Sequence, residues 1–331
     1  MPRSRHTPAV VAGALGLLAS GGAARPLAAQ PPAPLPVYES LNPAVAARSG
    51  VYLQPLVPVA PAGWQLGARL EYGSAIERAL NFPDRYLLDA ELWRVQVGAR
   101  RDLRGGRAFV QVVGGLAGTQ AGFADAFFED YHRLIRWVME ERDARPRNAY
   151  GHEVSIRALG VDERRAARAV APTDIRLNVG VRHTARSQTV LSLTAPTAPP
   201  SSAFARRVPT VSLLHARDAE PRDGLTLEGT AGVGYAPRTG ALAPLQRTLL
   251  YAVSAGGRLR TTGTQALFAR LYYHVSPFRG TGFPELDVGE LSVDFGYLWH
   301  TGAGRSWRVG LTEDTRRRDA GIDLVLRVSV E

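Results

Sequence analysis

The sequence predicts an all-β fold: a transmembrane antiparallel β-barrel of about 12 strands, with one amphipathic loop helix over about 122–140. Three observations predict it. Segments of about 9–12 residues alternate apolar with small or polar side chains, the length of a tilted strand crossing a bilayer. Their hydrophilic face carries Gly, Ser, Thr, Glu, Asp and Arg, which suits a wet lumen and suits a dry core poorly. Beyond residue 29 no run of about 18 apolar residues remains to make a spanning helix.

Composition narrows the function classes. The chain has 331 residues, 45% hydrophobic and 21% charged, which excludes a wholly disordered polymer. It has no cysteine, so disulfides, thiolate metal sites and a Cys nucleophile are excluded. Forty basic residues, every one an Arg, face 30 acidic ones, for a net charge of +10. The arginines are scattered and build no basic stripe, which argues against nucleic acid as a partner. Arg164-Arg165 and Arg316-Arg317-Arg318 lie between apolar runs and read as loops, solvated or turned towards anionic headgroups.

The N-terminus reads as a signal peptide over residues 1–29. Arg3 and Arg5 precede the short apolar stretch Ala9–Ala19, and Ala28-Ala29 offers a cleavage site. Residues 30–48 read as a Pro/Ala-rich extended leader, and 49–331 as the barrel domain. Export without a second apolar span leaves the periplasm, the exterior or the outer membrane, and the strand periodicity selects the bacterial outer membrane.

The clearest strands are Leu225–Tyr235, Leu249–Leu259, Gln265–Val275, Leu291–Trp299 and a last one over Ile322–Val330. In the first, Leu225, Leu227, Ala231, Val233 and Tyr235 fall opposite Thr226, Glu228, Thr230, Gly232 and Gly234, as a two-residue period requires. Tyr235, Tyr272, Tyr273, Tyr297 and Trp299 lie near strand ends, where interfacial girdles form. Val51–Pro58, Trp64–Tyr72, Leu87–Gly98, Arg107–Leu116, Tyr150–Leu159, Asp174–His183, Gln188–Ala195, Pro209–His215 and Ser306–Thr312 fit the same template less cleanly. Thr184-Ala185-Arg186-Ser187 is short enough for a periplasmic turn.

Gly122–Met139 has helical period instead. Phe123, Phe127, Phe128, Tyr131, Leu134, Ile135 and Val138 share an apolar arc, with Asp125, Glu129, His132 and Arg136 opposite. Glu129 and Arg133 are spaced to pair. This helix is expected to rest on the barrel end or to fill part of its mouth.

The stretch Leu87–Asn148 resembles domain-of-unknown-function family 3187, an uncharacterised family of exported bacterial proteins. The residues that carry the likeness are Leu87–Leu103, a strand with Gly114-Gly115, the helix with Gly122, Asp125, Glu129 and His132, and a later Arg-Pro-Arg-Asn. Glu313-Asp314 before an alternating last strand is also similar. The resemblance implies an outer-membrane β-barrel of unknown activity. One departure is the end of the chain, Val330-Glu331, where such barrels commonly carry an aromatic residue.

Candidate functional groups are few. Asp125, Glu129 and His132 on one helix face could bind a divalent cation or serve acid–base chemistry; the plainer alternative is a solvated polar face. Gly151-His152-Glu153-Val154-Ser155 resembles the His and Ser that outer-membrane phospholipases and lipid A deacylases carry on a barrel strand. On one strand, however, His152 and Ser155 point to opposite faces. Glu228, Arg258, Arg270, Glu290 and Asp294 are candidate lumen residues. No motif calls for a cofactor. The expected partners are outer-membrane lipids, the barrel assembly machinery during biogenesis, and a small solute. The reading is therefore a pore or structural envelope component, with a membrane-embedded lipid hydrolase as the alternative.

Overall fold

The structure, a computed structural model, describes residues 38–56, 59, 63–134, 145–301, 305–316, 321–322 and 324–330. The signal peptide assigned to 1–29 lies outside the described residues.

Fifteen strands form one sheet, and twelve of them close on themselves. In chain order these are β1 (Trp64–Asn81), β2 (Asp84–Leu103), β3 (Ala108–Gln120), β4 (Gly151–Ile156), β5 (Val161–Arg164), β6 (Arg168–Pro172), β7 (Ile175–Thr184), β8 (Ser187–Ala195), β9 (Thr210–Arg222), β10 (Leu225–Tyr235), β11 (Leu249–Arg260), β12 (Gln265–His274), β13 (Leu291–His300), β14 (Ser306–Asp314) and β15 (Leu324–Val330). The ring runs β1, β2, β3, β7 and then in order to β15, which pairs back onto β1; every pairing is antiparallel. Closure leaves no strand edge unpaired in the apolar medium. The twelve-stranded antiparallel barrel read from the periodicity is the observed fold.

Strands β4, β5 and β6 stand outside the ring. Strand β4 pairs with Arg85–Asp89, the part of β2 that extends past β3, and β5 pairs with β4. Strand β6 pairs with β3 at Leu116–Thr119. The hairpin β1–β2 is thus longer than the sequence analysis gave it. Turns 185–186 and 223–224 are short at one end of the barrel. Loops 121–174, 196–209, 236–248 and 275–290 sit at the other, the asymmetry expected of outer-membrane barrels.

The alternation is turned inside out relative to a soluble protein. Along β10, Leu227, Ala231, Val233 and Tyr235 are exposed, whereas Thr230, Gly232 and Gly234 are buried. Outward residues Val179, Leu191 and Leu213 sit side by side across β7, β8 and β9. A continuous apolar belt of this extent marks a membrane-facing surface. Tyr235, Tyr273, Tyr297 and Trp299 lie on the outer face, and Trp299 stacks on Trp307 with ring centroids 6.0 Å apart. Tyr272 is a correction: it points into the lumen, buried, because it shares the even-numbered face of β12 with Phe268, Arg270 and His274.

The segment Val51–Pro58 is a second correction. Its described part is no wall strand. It passes through the lumen, as does the described part of the stretch assigned to an extended leader. Tyr38 and Leu53 form an isolated antiparallel bridge, so residues 38–56 make a hairpin. A short helix, α1 (Pro43–Ala46), sits at its tip, capped by Asn42. No boundary falls at residue 48.

The loop helix is α2 (Asp125–Leu134); residues 122–124 lead into it, and 135–140 lie outside the described residues. A third short helix, α3 (Pro284–Asp287), lies in the loop before β13. Helix α2 neither caps the barrel end nor enters the mouth. It lies against the outer wall: Phe123 and Phe128 pack on the outward ring of Tyr72, and His132 reaches the outward Glu313 at 3.4 Å. Its orientation is also reversed. Asp125, Phe128 and His132 are buried, whereas Phe123, Phe127 and Leu134 are 65%, 53% and 81% exposed. The cause is the surrounding medium. Outside a barrel the apolar side is the outer one, and Asp125 and His132 turn to partners at the wall, while Asp130 and Arg133 pair with each other on the exposed side.

Candidate functional site: the filled lumen

Inward positions of the strands carry charged side chains, and burial forces each to find a partner. Glu71 of β1 pairs with Arg94 of β2 at 2.6 Å and with Arg327 of β15 at 3.0 Å. Arg327 lies 3.6 Å from Asp294 of β13, which lies 3.7 Å from Arg270 of β12. Arg270 pairs with Glu228 of β10 at 2.6 Å, and Glu228 also holds Arg258 of β11. Opposite signs therefore alternate around the inner wall. Each charge is balanced by neighbours on adjacent strands, so the belt itself is a rigid part of the wall.

The belt is completed by the hairpin. Glu39 pairs with Arg176 at 2.6 Å, Arg206 at 3.4 Å and Arg94 at 3.8 Å, and accepts a hydrogen bond from Gln96 Nε2 at 2.8 Å. Arg94 also donates to the carbonyls of Glu39 and Ser40. Tyr38 packs against Tyr272 with centroids 3.6 Å apart and the rings tilted by 32°, under the guanidinium of Arg327. Asn42 donates to Glu77 at 2.9 Å.

The descending limb is held as closely. The Arg206 guanidinium donates to the Ser49 carbonyl at 2.8 Å. Tyr52 donates to Asn178, with Arg176 3.6 Å above its ring. Gln54 donates to Gln111 at 2.7 Å, and Gln188 donates to the Pro55 carbonyl at 2.7 Å. Gly232 and Gly234 let this limb lie flat on β10: a Cβ on either would come 2.5 Å from Leu214 or Val51, respectively. What remains between Glu39, Arg94, Arg176 and Arg206 is a cavity for one or two waters.

Of the candidate lumen residues, Glu228, Arg258, Arg270 and Asp294 face the interior in the belt just described. Glu290 is buried beside it, hydrogen-bonded to His274 at 3.0 Å and to Ser292 at 2.6 Å. Sequence reading missed Glu39, Glu71, Arg94, Arg176 and Arg327. The inward phase of β1, β2, β7 and β15 marked the last four. Nothing local marked Glu39.

The polar helix face does not converge. Asp125 accepts from the backbone N–H of Asn148. Glu129 is taken by Arg147 and, at 3.9 Å, by Arg133. His132 Nδ1 is engaged by the Phe128 carbonyl at 2.8 Å. Arg136 lies outside the described residues. Asp125, Glu129 and His132 thus point to three different places, and the structure does not bring them together on one ligand. Among the described residues no group of three or more His, Asp or Glu could hold a metal ion.

His152 is buried on the inner face of β4, and Ser155 is on the other face. Burial, helped by the nearby Arg165 guanidinium, lowers the His152 pKa to about 3. It is thus a neutral, enclosed ring with no nucleophile on its face of the strand.

No protein-family model matches the chain, and no curated protein matches it. Solved structures do. The fold is similar to the COG4313 outer membrane channel from Pseudomonas putida F1, with a TM-score of 0.51 and 14% identity over 82% of this chain and 96% of that one. The Pseudomonas putida toluene transporter TodX aligns with a TM-score of 0.42 and 10% identity, over 88% and 97% of the two chains. The NanC porin aligns at 0.45 and 8%, over 80% and 98%. The first likeness shows the fold, a closed antiparallel β-barrel.

Proposed function

We propose that the protein is an outer-membrane channel held closed by its own N-terminal hairpin, Tyr38–Leu56, and that conduction of a small polar or anionic solute follows displacement of that hairpin. The observation that carries this reading is the Glu39 anchor. One carboxylate, on a hairpin that is not part of the barrel wall, engages Arg94, Arg176 and Arg206. Without it the lumen presents a cluster of guanidinium groups, an electrostatic attraction for anions. The channel named in the first structural likeness supports the reading, as does the resemblance to family 3187, which belongs to this proposal. Outer-membrane lipids around the apolar belt, assembly by the barrel machinery and removal of a signal peptide belong to it too.

The test is planar-bilayer recording of the full chain beside a variant lacking residues 38–56, both checked for folding by their migration before and after boiling. Steady single-channel steps in the deletion variant and rare steps in the intact protein support the proposal. A folded deletion variant that stays silent overturns it in favour of a purely structural barrel.

A further inference from the structure

At the short-turn end of the outer wall, four side chains from three neighbouring strands form a hydrogen-bonded line. Ser187 Oγ lies 3.4 Å from His215 Nε2, His215 Nδ1 lies 3.1 Å from Thr189 Oγ1, and Thr189 Oγ1 lies 2.8 Å from His183 Nε2. The tautomer that leaves His215 Nε2 free to act as a base satisfies all three contacts. Ser187 donates to His215 Nε2, His215 Nδ1–H donates to Thr189, and the Thr189 hydroxyl donates to His183. The two imidazoles lie nearly parallel, 6.1 Å between centroids.

This is the order of roles that nucleophilic catalysis needs: a hydroxyl, a base in reach of it, and a third group that fixes the base's tautomer. The Ser–His contact is long, as such contacts are before substrate binds. The strand register creates the line. Ser187 is opposite Arg217 and Thr189 is opposite His215, so these side chains share the outward face. Ser187, His215 and Arg217 line an open groove together with Thr184, Arg186 and Glu220.

Position names the substrate. Directly above the groove the same outward face becomes Val179, Leu191 and Leu213, all exposed. A glycerophospholipid lying against this wall places its acyl chains on those residues and its ester carbonyls at the level of Ser187. Arg217 supplies positive charge beside its phosphodiester. The geometry points to an acyl-ester hydrolase site for anionic phospholipids of the adjoining leaflet, built from Ser187, His215, Thr189 and His183. It rests on the wall facing lipid, as the proposed function does, and not on the state of the lumen.

In the reaction Ser187 Oγ bonds to the ester carbonyl carbon while His215 Nε2 takes its proton. The ester C–O bond breaks, and His215 returns the proton to the departing lysophospholipid oxygen. Water then attacks the acyl-serine, again through His215, releasing a fatty acid and restoring Ser187. Thr189 and His183 are positioning residues, acting through His215.

The folded full chain is incubated with a long-chain alkyl fluorophosphonate and, separately, with detergent micelles containing phosphatidylglycerol. The expected results are a covalent adduct mapped to Ser187 by mass spectrometry and release of fatty acid with lysophosphatidylglycerol. Ser187→Ala removes both, His215→Asn lowers both about 10²–10³-fold, and neither changes channel recording. Thr189→Val lowers both, and Thr189→Ser, which keeps the hydroxyl that accepts from His215, restores them; a merely structural role makes no such distinction between the two variants. No adduct and no release from a barrel shown to be folded overturns the proposal and leaves a hydrogen-bonded polar girdle. An adduct that persists in Ser187→Ala overturns it as well.

Discussion

Glu39 and Arg176 meet at 2.6 Å across 137 residues of sequence, and this contact ties the lumen hairpin to the barrel wall. Arg206 and Arg94 share the same carboxylate. Glu39→Ala leaves these guanidinium groups buried against one another, and removing one partner of a buried ion pair costs about 3–5 kcal/mol. The barrel ladder does not depend on Glu39, so that cost falls on the docking of the hairpin. At about 1.4 kcal/mol per tenfold, openings in planar bilayers become more frequent by about 10²–10³-fold, with the boiling-dependent gel shift retained. A variant as silent as the wild type removes Glu39 as the anchor.

The barrel was legible because a two-residue period survives any loop sequence: β10 spans the very residues read as a strand, and β11, β12 and β13 differ at their ends by one residue. The hairpin was not legible. Val51, Leu53 and Pro55 alternate with Tyr52, Gln54 and Leu56 much as a wall strand does, and extended chain in a lumen obeys the same period. Helix α2 was legible as a helix but not in its sense. An apolar arc says that one side avoids water, and only the fold says whether lipid or protein covers it. The charge belt was half legible. Inward phase identified Glu228, Arg270 and Asp294, whereas the partners Glu71, Arg94 and Arg327 come together only when β15 closes on β1.

A covalent lock gives the converse of the Glu39 test. The chain has no cysteine, so one engineered pair forms the only disulfide. A Cβ at Gly50 falls 2.8 Å from Thr210 Cβ, against about 3.5–4.5 Å in a disulfide, so the hairpin has to shift by about 1 Å. Gly50→Cys with Thr210→Cys, built on Glu39→Ala, is expected to be silent when oxidised. A reductant added to the same bilayer restores the openings. Equal conductance before and after reduction places the conducting path elsewhere.

Acid weakens the packing of β4 against the extension of β2. His152 in the folded protein has a pKa of about 3, below the ordinary 6.5, because burial disfavours its charge and Arg165 adds repulsion. Below about pH 6.5 the unfolded chain binds a proton that the folded chain refuses. Stability present at neutral pH therefore falls as pH drops from about 6.5 towards 3, by up to about 1.4 kcal/mol per pH unit. His152→Leu keeps the buried volume and removes this term. Thermal unfolding at pH 7 and pH 4.5 is expected to differ less in the variant than in the wild type. An unchanged difference assigns the acid sensitivity to other groups.

Helix α2 lies on the wall with its aromatic side outward, which predicts contact with acyl chains. Phe127 is 53% exposed on that side, whereas Asp223 is exposed in the short turn between β9 and β10. Tryptophan fluorescence from Phe127→Trp should be quenched by lipids brominated on their chains, above the background of the five native tryptophans. Asp223→Trp should add little quenched signal. Equal quenching at both positions would mean that the helix stands clear of the bilayer.

The sense of the whole wall can be tested at Leu191. It projects from the middle of β8 between Val179 and Leu213, and all three are exposed. In a water-facing sheet Leu191→Arg is a surface change worth no more than about 0.5 kcal/mol. On a lipid-facing wall at mid-depth it costs about 2–4 kcal/mol, and near the interface about 0–1. Leu227 also faces outward but lies at the short-turn end of β10, so Leu227→Arg is the internal control. Reversible denaturation of the barrel in lipid vesicles is expected to rank Leu191→Arg well below Leu227→Arg in stability. Equal, small effects at both sites would place water, and not acyl chains, against this face, and with it would go the membrane-facing reading of the fold.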